Sequence, residues 1–307
     1  MNHTKCTHPE AVTVVPLTDY SPIFRPQYRI KDAYVPAVNQ QISEWAEEDV
    51  IEPAAPDVRW NSSLMAARKK DGHGTWSAIR TCIDPRPINA RCSATPLPIP
   101  DVPALFDKVA HFYYYTTLDM RASFTQFPVA EQCRDILTFI WEGRRWRFKG
   151  APYGLTFLPG HFQRVMNVVL ADCMAFVTVF IDDICIFSRS LTEHIQHVTT
   201  VIECLNKWSL RLKPSKCYFG CRQLLLLGHL ISGVGRSIDP SKLDTLSKWP
   251  LPQSSKDIMT FLGFTNYLRD YLPHYATIAA PLDKLRHLKK DFPSVWASSP
   301  TYEQAFT

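Results

Sequence analysis

The stretch Phe176-Val177-Thr178-Val179-Phe180-Ile181-Asp182-Asp183-Ile184-Cys185-Ile186-Phe187-Ser188 decides how this chain is read. Two runs of β-branched and aromatic residues flank a bare pair of aspartates, and each run predicts a buried strand. The pair between them predicts a tight turn. Adjacent carboxylates repel, and burying either one unpartnered is costly. Water solves that problem at a solvated hairpin tip. A divalent cation solves it in a buried one, and bare carboxylate oxygens prefer Mg²⁺ or Mn²⁺.

A third aspartate favours the cation. Phe112-Tyr113-Tyr114-Tyr115-Thr116-Thr117-Leu118 predicts a strand that ends at Asp119. One carboxylate at a strand end and two at a hairpin turn can converge on a metal pair, as two-metal phosphoryl transfer requires.

Composition narrows the alternatives. The 307 residues are 46% hydrophobic and 12% aromatic, enough for a real core, so disorder is excluded. The net charge of +5, from 34 Lys and Arg against 29 Asp and Glu, suits a nucleic-acid partner without demanding one. Nine cysteines without framework spacing predict reduced thiols in an intracellular protein. His194 and His197 fall on an amphipathic helix, and Cys217 and Cys221 near it complete no finger pattern; these histidines are expected at the surface or satisfied inside. The chain shows no signal peptide, no membrane span, no Walker loop and no G-x-S-x-G elbow.

Leu118-Asp119-Met120 together with Phe180-Ile181-Asp182-Asp183 resembles the paired catalytic motifs of reverse transcriptases, of the gypsy class of long-terminal-repeat retrotransposons. Further blocks carry the resemblance in order: Arg68-Lys69-Lys70-Asp71-Gly72, Cys82-Ile83-Asp84-Pro85-Arg86-Pro87-Ile88-Asn89, Ala151-Pro152-Tyr153-Gly154-Leu155-Thr156, Phe162-Gln163-Arg164-Val165-Met166-Asn167, Leu227-Gly228-His229, Trp249-Pro250, Phe261-Leu262-Gly263 and Ala279-Ala280-Pro281-Leu282. It runs from about residue 25 to the end. It implies an α+β right-hand polymerase: fingers at 25–105 with 130–150 contributing, a palm of antiparallel sheet backed by helices at 106–232, and a helical thumb at 233–290. Residues 1–24 are expected to be a loose leader. Residues 291–307 resemble the start of a ribonuclease H region cut short, so the chain is expected to be a piece of a larger polyprotein or element.

The resemblance also implies roles. Asp119, Asp182 and Asp183 would hold two Mg²⁺ ions, with Mn²⁺ as a substitute, and the Met120 carbonyl would add a contact. Lys69 would meet the triphosphate of the incoming dNTP. The matching arginine is Arg80 when counted back from Cys82; counting forward from Trp76 gives Ser77, which lacks the charge. Phe124 would stand under the nucleotide sugar and exclude a 2′-hydroxyl, with Tyr153 close by. Leu227, Gly228 and His229 would form the primer grip. The basic run Lys284, Arg286, His287, Lys289 and Lys290 would either track phosphates or cap a helix in water.

The activity implied is RNA-directed DNA synthesis on a primed RNA or DNA template, in the cytoplasm, including virus-like particles, or in the nucleus, with no membrane partner. Two rivals stand beside it. One is an inactive or domesticated relic that binds RNA–DNA duplex, suggested by the longer hairpin before Arg80 and by Pro85 where an aromatic is usual. The other is a DNA-templated polymerase on the same palm.

Local patterns give the elements. Helices are predicted at 35–50, where Val38, Ile42, Trp45 and Ala46 share a face, at 102–109, and after Pro152-Tyr153-Gly154. The last carries an apolar stripe of Phe162, Val165, Met166, Val169, Leu170 and Cys173. A hairpin is predicted around Glu142-Gly143, a helix with Ile195, Val198, Ile202, Leu205 and Trp208 inside, a strand over 224–232, and helices from Asp239-Pro240 and over 254–272.

Overall fold

The computed structural model describes residues 5–69, 78–93, 101–288 and 291–306. The chain divides between Arg222 and Gln223 into two units, each with its own core.

The first unit opens with α1 (Val35–Glu47), which buries Val38 and Ile42. Its Trp45 meets the rings of Phe139 and Phe148 edge-on. Strand β1 (Ile51–Pro53) follows, then the ribbon β2 (Leu64–Lys69) and β3 (Ala78–Ile83). Short helices α2 (Arg86–Asn89) and α3 (Val102–Val109) lead to β4 (Tyr114–Asp119). Next come α4 (Glu131–Arg134) and the hairpin β5 (Thr138–Trp141) and β6 (Arg144–Phe148). Its turn holds Glu142 and Gly143 at positive φ, the geometry that matches strand twist in a two-residue hairpin.

Helix α5 (Leu158–Val169) then delivers the chain to β7 (Val177–Phe180) and β8 (Asp183–Ser188), followed by α6 (Leu191–Lys207) and β9 (Tyr218–Cys221). The sheet that carries the aspartates has the order β7-β8-β4-β9, antiparallel throughout. Helix α6 packs on β4 and β8, and α5 on β7. Ile184, Cys185, Ile186, Phe187 and Ser188 are all buried, so β8 is covered on both faces: Ile184 and Ile186 belong to the core shared with α5, and the Phe187 ring meets Phe112 on the other face. The expected stripe is buried throughout, from Phe162 to Val169 on α5 and at Leu170 and Cys173 just beyond it.

Three expectations change. Residues 5–24 are not loose: Cys6, Ala11, Val15, Leu17 and Ile23 are buried, and Thr13 forms a parallel bridge with Val129. Helix α6 turns His194 inward and leaves Ile195 59% exposed, so its inner stripe is His194, Val201 and Leu205. The ring of His194 bonds Thr116 at 2.8 Å and Ser188 at 2.8 Å, so its burial is satisfied.

The third concerns 224–232, where one strand is expected and the chain instead folds back on itself. The second unit begins with β10 (Gln223–Leu226), β11 (His229–Ser232) and β12 (Gly235–Ile238), a three-stranded antiparallel sheet. The expected palm–thumb border at 232/233 therefore falls inside this sheet. Helices α7 (Pro240–Ser247), α8 (Ser255–Tyr267), α9 (Tyr275–Asp283), α10 (Phe292–Ala297) and α11 (Pro300–Phe306) follow. Asp239 and Ser254 cap α7 and α8. Phe292 is buried beside Ile258, Leu262 and Leu282, and the Phe306 ring lies 4.3 Å from that of Phe261. Residues 291–306 thus close this core. No helix of the described residues is long and apolar enough to cross a membrane.

Candidate active site

Strand β8 starts at Asp183, which is paired in register with Phe180 of β7 and with Asp119 of β4. Ile181 and Asp182 therefore make a two-residue turn at the end of the sheet. Asp182 and Asp183 are exposed and Ile181 is half-buried, while every following residue of β8 is buried. Three carboxylates so stand at one sheet edge, two of them opposite each other.

Ile181 has φ +55°. Such turns usually hold Gly, Asn or Asp there, and a β-branched residue in the left-handed region costs about 1–2 kcal/mol.

Burial, then the charges of Asp182 and Asp119, push the Asp183 carboxyl above its ordinary range, and Lys216 pulls it back. Because Asp183 is exposed overall, the neighbouring charges carry the argument. Lys216 Nζ donates to Asp119 Oδ2 at 2.9 Å. That bond, ahead of the other acidic charges, raises the Lys216 ammonium above its usual value. The Lys213 N–H donates to the Asp119 carbonyl and the Arg121 N–H to that of Arg211, so these bonds around the Met120–Leu212 bridge leave the Met120 carbonyl out.

The donor set is oxygen-only and carries three negative charges, which suits a hard divalent ion. Among the described residues no three Asp, Glu, His or Cys side chains are drawn together as a ready-made metal cage. The ammonium of Lys216 offsets part of the charge instead.

Below this edge lies an aromatic platform. After β4 the chain turns through Ala122, at φ +47°, into a short 3-10 helix that carries Phe124. Buried Gln126 ties that helix down through bonds to Arg121 and Arg211. The half-buried Phe124 ring lies 5.1 Å from Tyr153 and 5.4 Å from Phe162. Tyr153 is 37% exposed, and its hydroxyl bonds Ser123 Oγ at 3.4 Å. Burial is the largest cause raising the Tyr153 phenol; Asp182 and Asp119 add to it, and Ser123 and Arg80 oppose it. The charges of Asp119, Asp182 and Arg80 thus all bear on the Tyr153 phenol.

Arg80 faces Ala67 across the β2–β3 ribbon, and Lys69 faces Ala78. Opposed residues share a face and side chains alternate, so Lys69 and Arg80 point to the same side as diagonal neighbours. Both are exposed. The ribbon beyond Lys69, with Lys70-Asp71-Gly72 and Ser77, lies outside the described residues.

In the second unit, Leu227 and Gly228 form the β10–β11 turn with φ of +46° and +74°. The Tyr267 hydroxyl donates to the Leu227 carbonyl. His229 is 5% exposed and bonds the Tyr271 hydroxyl at 2.8 Å. Of the basic run, Arg286 pairs with Asp283 at 2.6 Å, and Lys289 and Lys290 lie outside the described residues.

The sequence reading misses Lys216. Lys216 stands at the start of a run that predicts a short strand, 216–219, and nothing local ties it to Asp119, 97 positions away. It also sees Gln163 only as part of a matching block, because a lone polar residue in an apolar stripe does not announce what it bonds.

Comparison with known proteins places this geometry. The chain is 31% identical over 270 residues to the retrovirus-related Pol polyprotein from transposon 297 of Drosophila melanogaster, covering 88% of this chain and 25% of that one. To the Pol polyprotein from transposon gypsy of the same fly it is 27% identical over 287 residues, 90% of this chain and 27% of that one. It thus spans about a quarter of the length of these relatives. The foamy viral protease-reverse transcriptase, solved with an RNA/DNA hybrid, matches 98% of this chain and 40% of its own length with a TM-score of 0.82 at 19% identity. The form solved with double-stranded DNA and labelled dRH matches 98% and 52% with a TM-score of 0.86, also at 19%. These two likenesses speak for the fold, the α+β polymerase architecture expected from the sequence. Residues 67–266, which carry the aspartates, the platform and most of both units' framework, match the family model for reverse transcriptase (RNA-dependent DNA polymerase), and the chain belongs to that family.

Proposed function

We propose that this chain is the polymerase part of a retrotransposon Pol protein and extends a primer 3′-hydroxyl with dNTPs on an RNA or DNA template. One observation carries the reading: the register that sets Asp119 opposite Asp183, with Asp182 beside it at the turn. We assign the fingers to 25–105 with 130–150, the palm to 106–222 and the thumb to 223–290, moving the palm–thumb border from 232/233 to the boundary between the two units and keeping 291–306 as the start of the next region. The nine free thiols support a reducing compartment, cytoplasmic, within virus-like particles, or nuclear.

Asp119, Asp182 and Asp183, with the Met120 carbonyl, are the residues that would hold Mg²⁺, or Mn²⁺ in its place. When bound, a divalent pair supplies a lowered pKa for the primer hydroxyl and charge stabilisation for the departing pyrophosphate. The protein's own groups do the rest. Lys69 and Arg80, on one face of their ribbon, offset negative charge on the triphosphate. The face of Phe124 leaves no space for a 2′-hydroxyl, and Tyr153 backs it. Leu227, Gly228 and His229 present a rigid turn to the primer end. Contacts are expected mainly to the nucleic-acid backbone, since a copying enzyme must not prefer sequences. The foamy viral structures contain RNA/DNA hybrid and double-stranded DNA, which supports such a partner here.

A second reading, a duplex-binding relic, draws support from Lys216, whose ammonium already takes one oxygen of Asp119. Primer extension on a homopolymer template with Mg²⁺ or Mn²⁺, beside Asp182→Asn, decides between them. Extension that is lost in the variant supports the enzyme. Duplex binding without extension supports the relic. Comparing RNA with DNA templates tests the template assignment.

A further inference from the structure

We propose that Gln163 is a positioning residue: it locks the Ile181-Asp182 turn in its left-handed conformation and so aims the Asp182 carboxylate. The proposal rests on the polymerase reading of that hairpin.

The turn needs a lock. Ile181, a β-branched residue, sits at φ +55°, a conformation that it leaves readily unless something over-determines it. Gln163 of α5 is 2% exposed and reaches the turn from beneath. Its Oε1 accepts the Ile181 N–H at 2.7 Å. Its Nε2 donates to the Val179 carbonyl at 3.0 Å and to Asn167 Oδ1 at 2.9 Å. The amide's orientation follows from its partners, because a backbone N–H only donates and a carbonyl only accepts. One buried side chain thus grips Val179 near the end of β7 and Ile181, the first residue of the hairpin tip. Asp182 is the next residue, so its direction follows the Ile181 conformation. If the Ile181 N–H loses its acceptor in this covered position, a reversed turn becomes the better solution, and the carboxylate swings with it.

A purely structural glutamine would predict lower stability and nothing more. The lock predicts an effect that removing the strain repairs. In the full chain, Gln163→Leu should speed amide hydrogen exchange at Ile181 by about tenfold or more. It should slow single-turnover extension by about 10–100-fold while leaving the template–primer Kd within about twofold. Adding Ile181→Gly, which has no left-handed penalty, should restore the extension rate by about fivefold or more. Gln163→Asn keeps the amide but is too short to span both partners, and serves with the same readouts where the leucine variant fails to fold. Unchanged exchange at Ile181, unchanged extension, or no rescue by Ile181→Gly overturns the proposal. A wild-type chain that extends nothing overturns the polymerase reading instead, and the exchange measurement still decides the lock.

Discussion

The Lys216 ammonium donates to Asp119 Oδ2 at 2.9 Å, so the aspartate facing Asp183 across the sheet is already held by a cation. A bound divalent ion and this ammonium would compete for the same oxygen. Lys216→Gln is therefore expected to tighten Mn²⁺ binding to the nucleic-acid-free chain by about 3–10-fold, since removing a nearby like charge favours the incoming one. Stability should move by less than about 1 kcal/mol, because the lysine side chain is 57% exposed and the pair is screened. Titration of Mn²⁺ followed by paramagnetic resonance checks it. Weaker binding in the variant would mean that Lys216 orients Asp119 rather than blocking it.

Phe124 is held between Tyr153 and Phe162. Phe124→Val removes the outer part of the ring and opens room beside the sugar position. The ratio of ribonucleotide to deoxyribonucleotide incorporation should rise by about 10–100-fold, the discrimination that a steric wall typically supplies. The lost ring contacts should cost about 1–2 kcal/mol in a thermal melt. Single-nucleotide primer extension with each sugar measures the first effect. An unchanged sugar preference removes Phe124 from that role.

Much of this arrangement is legible along the chain, and the reason is locality. Strand texture on both sides of Asp182-Asp183, the Phe112–Leu118 run and the α5 stripe depend on short-range patterns. Each element forms where those patterns put it. What fails depends on partners far away in sequence. The leader at 5–24 lacks periodicity yet packs, because Thr13 finds Val129 and Cys6 finds Gln126. The stripe expected on α6 turns Ile195 outward, because His194 finds Thr116 and Ser188 for both its ring nitrogens and is the residue that goes inside. The run 224–232 is mostly apolar and reads as one strand, and it is Leu227 and Gly228 at positive φ that reverse it. The role of Lys216 has no local signal at all.

The same histidine predicts acid sensitivity. Burial, then the charge of His197, holds His194 below the ordinary histidine value, with Glu193 opposing weakly; the other neighbours, Tyr114, Thr116 and Ser188, add no charge. A group whose folded pKa is depressed binds fewer protons folded than unfolded, so stability rises with pH across the gap. The contribution is complete above the unfolded value of about 6.5 and is lost as pH falls toward the folded one. The melting temperature of the chain should therefore drop on acidification from pH ~7.5 to pH ~5.5, and His194→Gln should flatten that slope. Some slope will remain, since His161 is also held low, by burial first and then by Arg164. Parallel pH profiles for the two proteins would rule His194 out as the acid-sensitive group.

Gly228 is the residue whose replacement the second unit should tolerate least. At φ +74° an L side chain is strained, and an added Cβ would stand 2.6 Å from the Tyr267 hydroxyl and 2.7 Å from Lys242 Cε. Lys242 is the flexible partner and can withdraw; Tyr267 is tied to the Leu227 carbonyl of the same turn and cannot move without releasing it. Gly228→Ala is therefore expected to cost about 1–3 kcal/mol, combining left-handed strain with overpacking. Leu227, at φ +46°, lies next to it without glycine's freedom, so Leu227→Gly should relieve strain and offset its lost side chain to within about 1 kcal/mol. Chemical denaturation read by amide exchange in β10 and β11 separates the two cases. If both substitutions destabilise this sheet equally, the backbone conformation of the turn is not what makes position 228 a glycine.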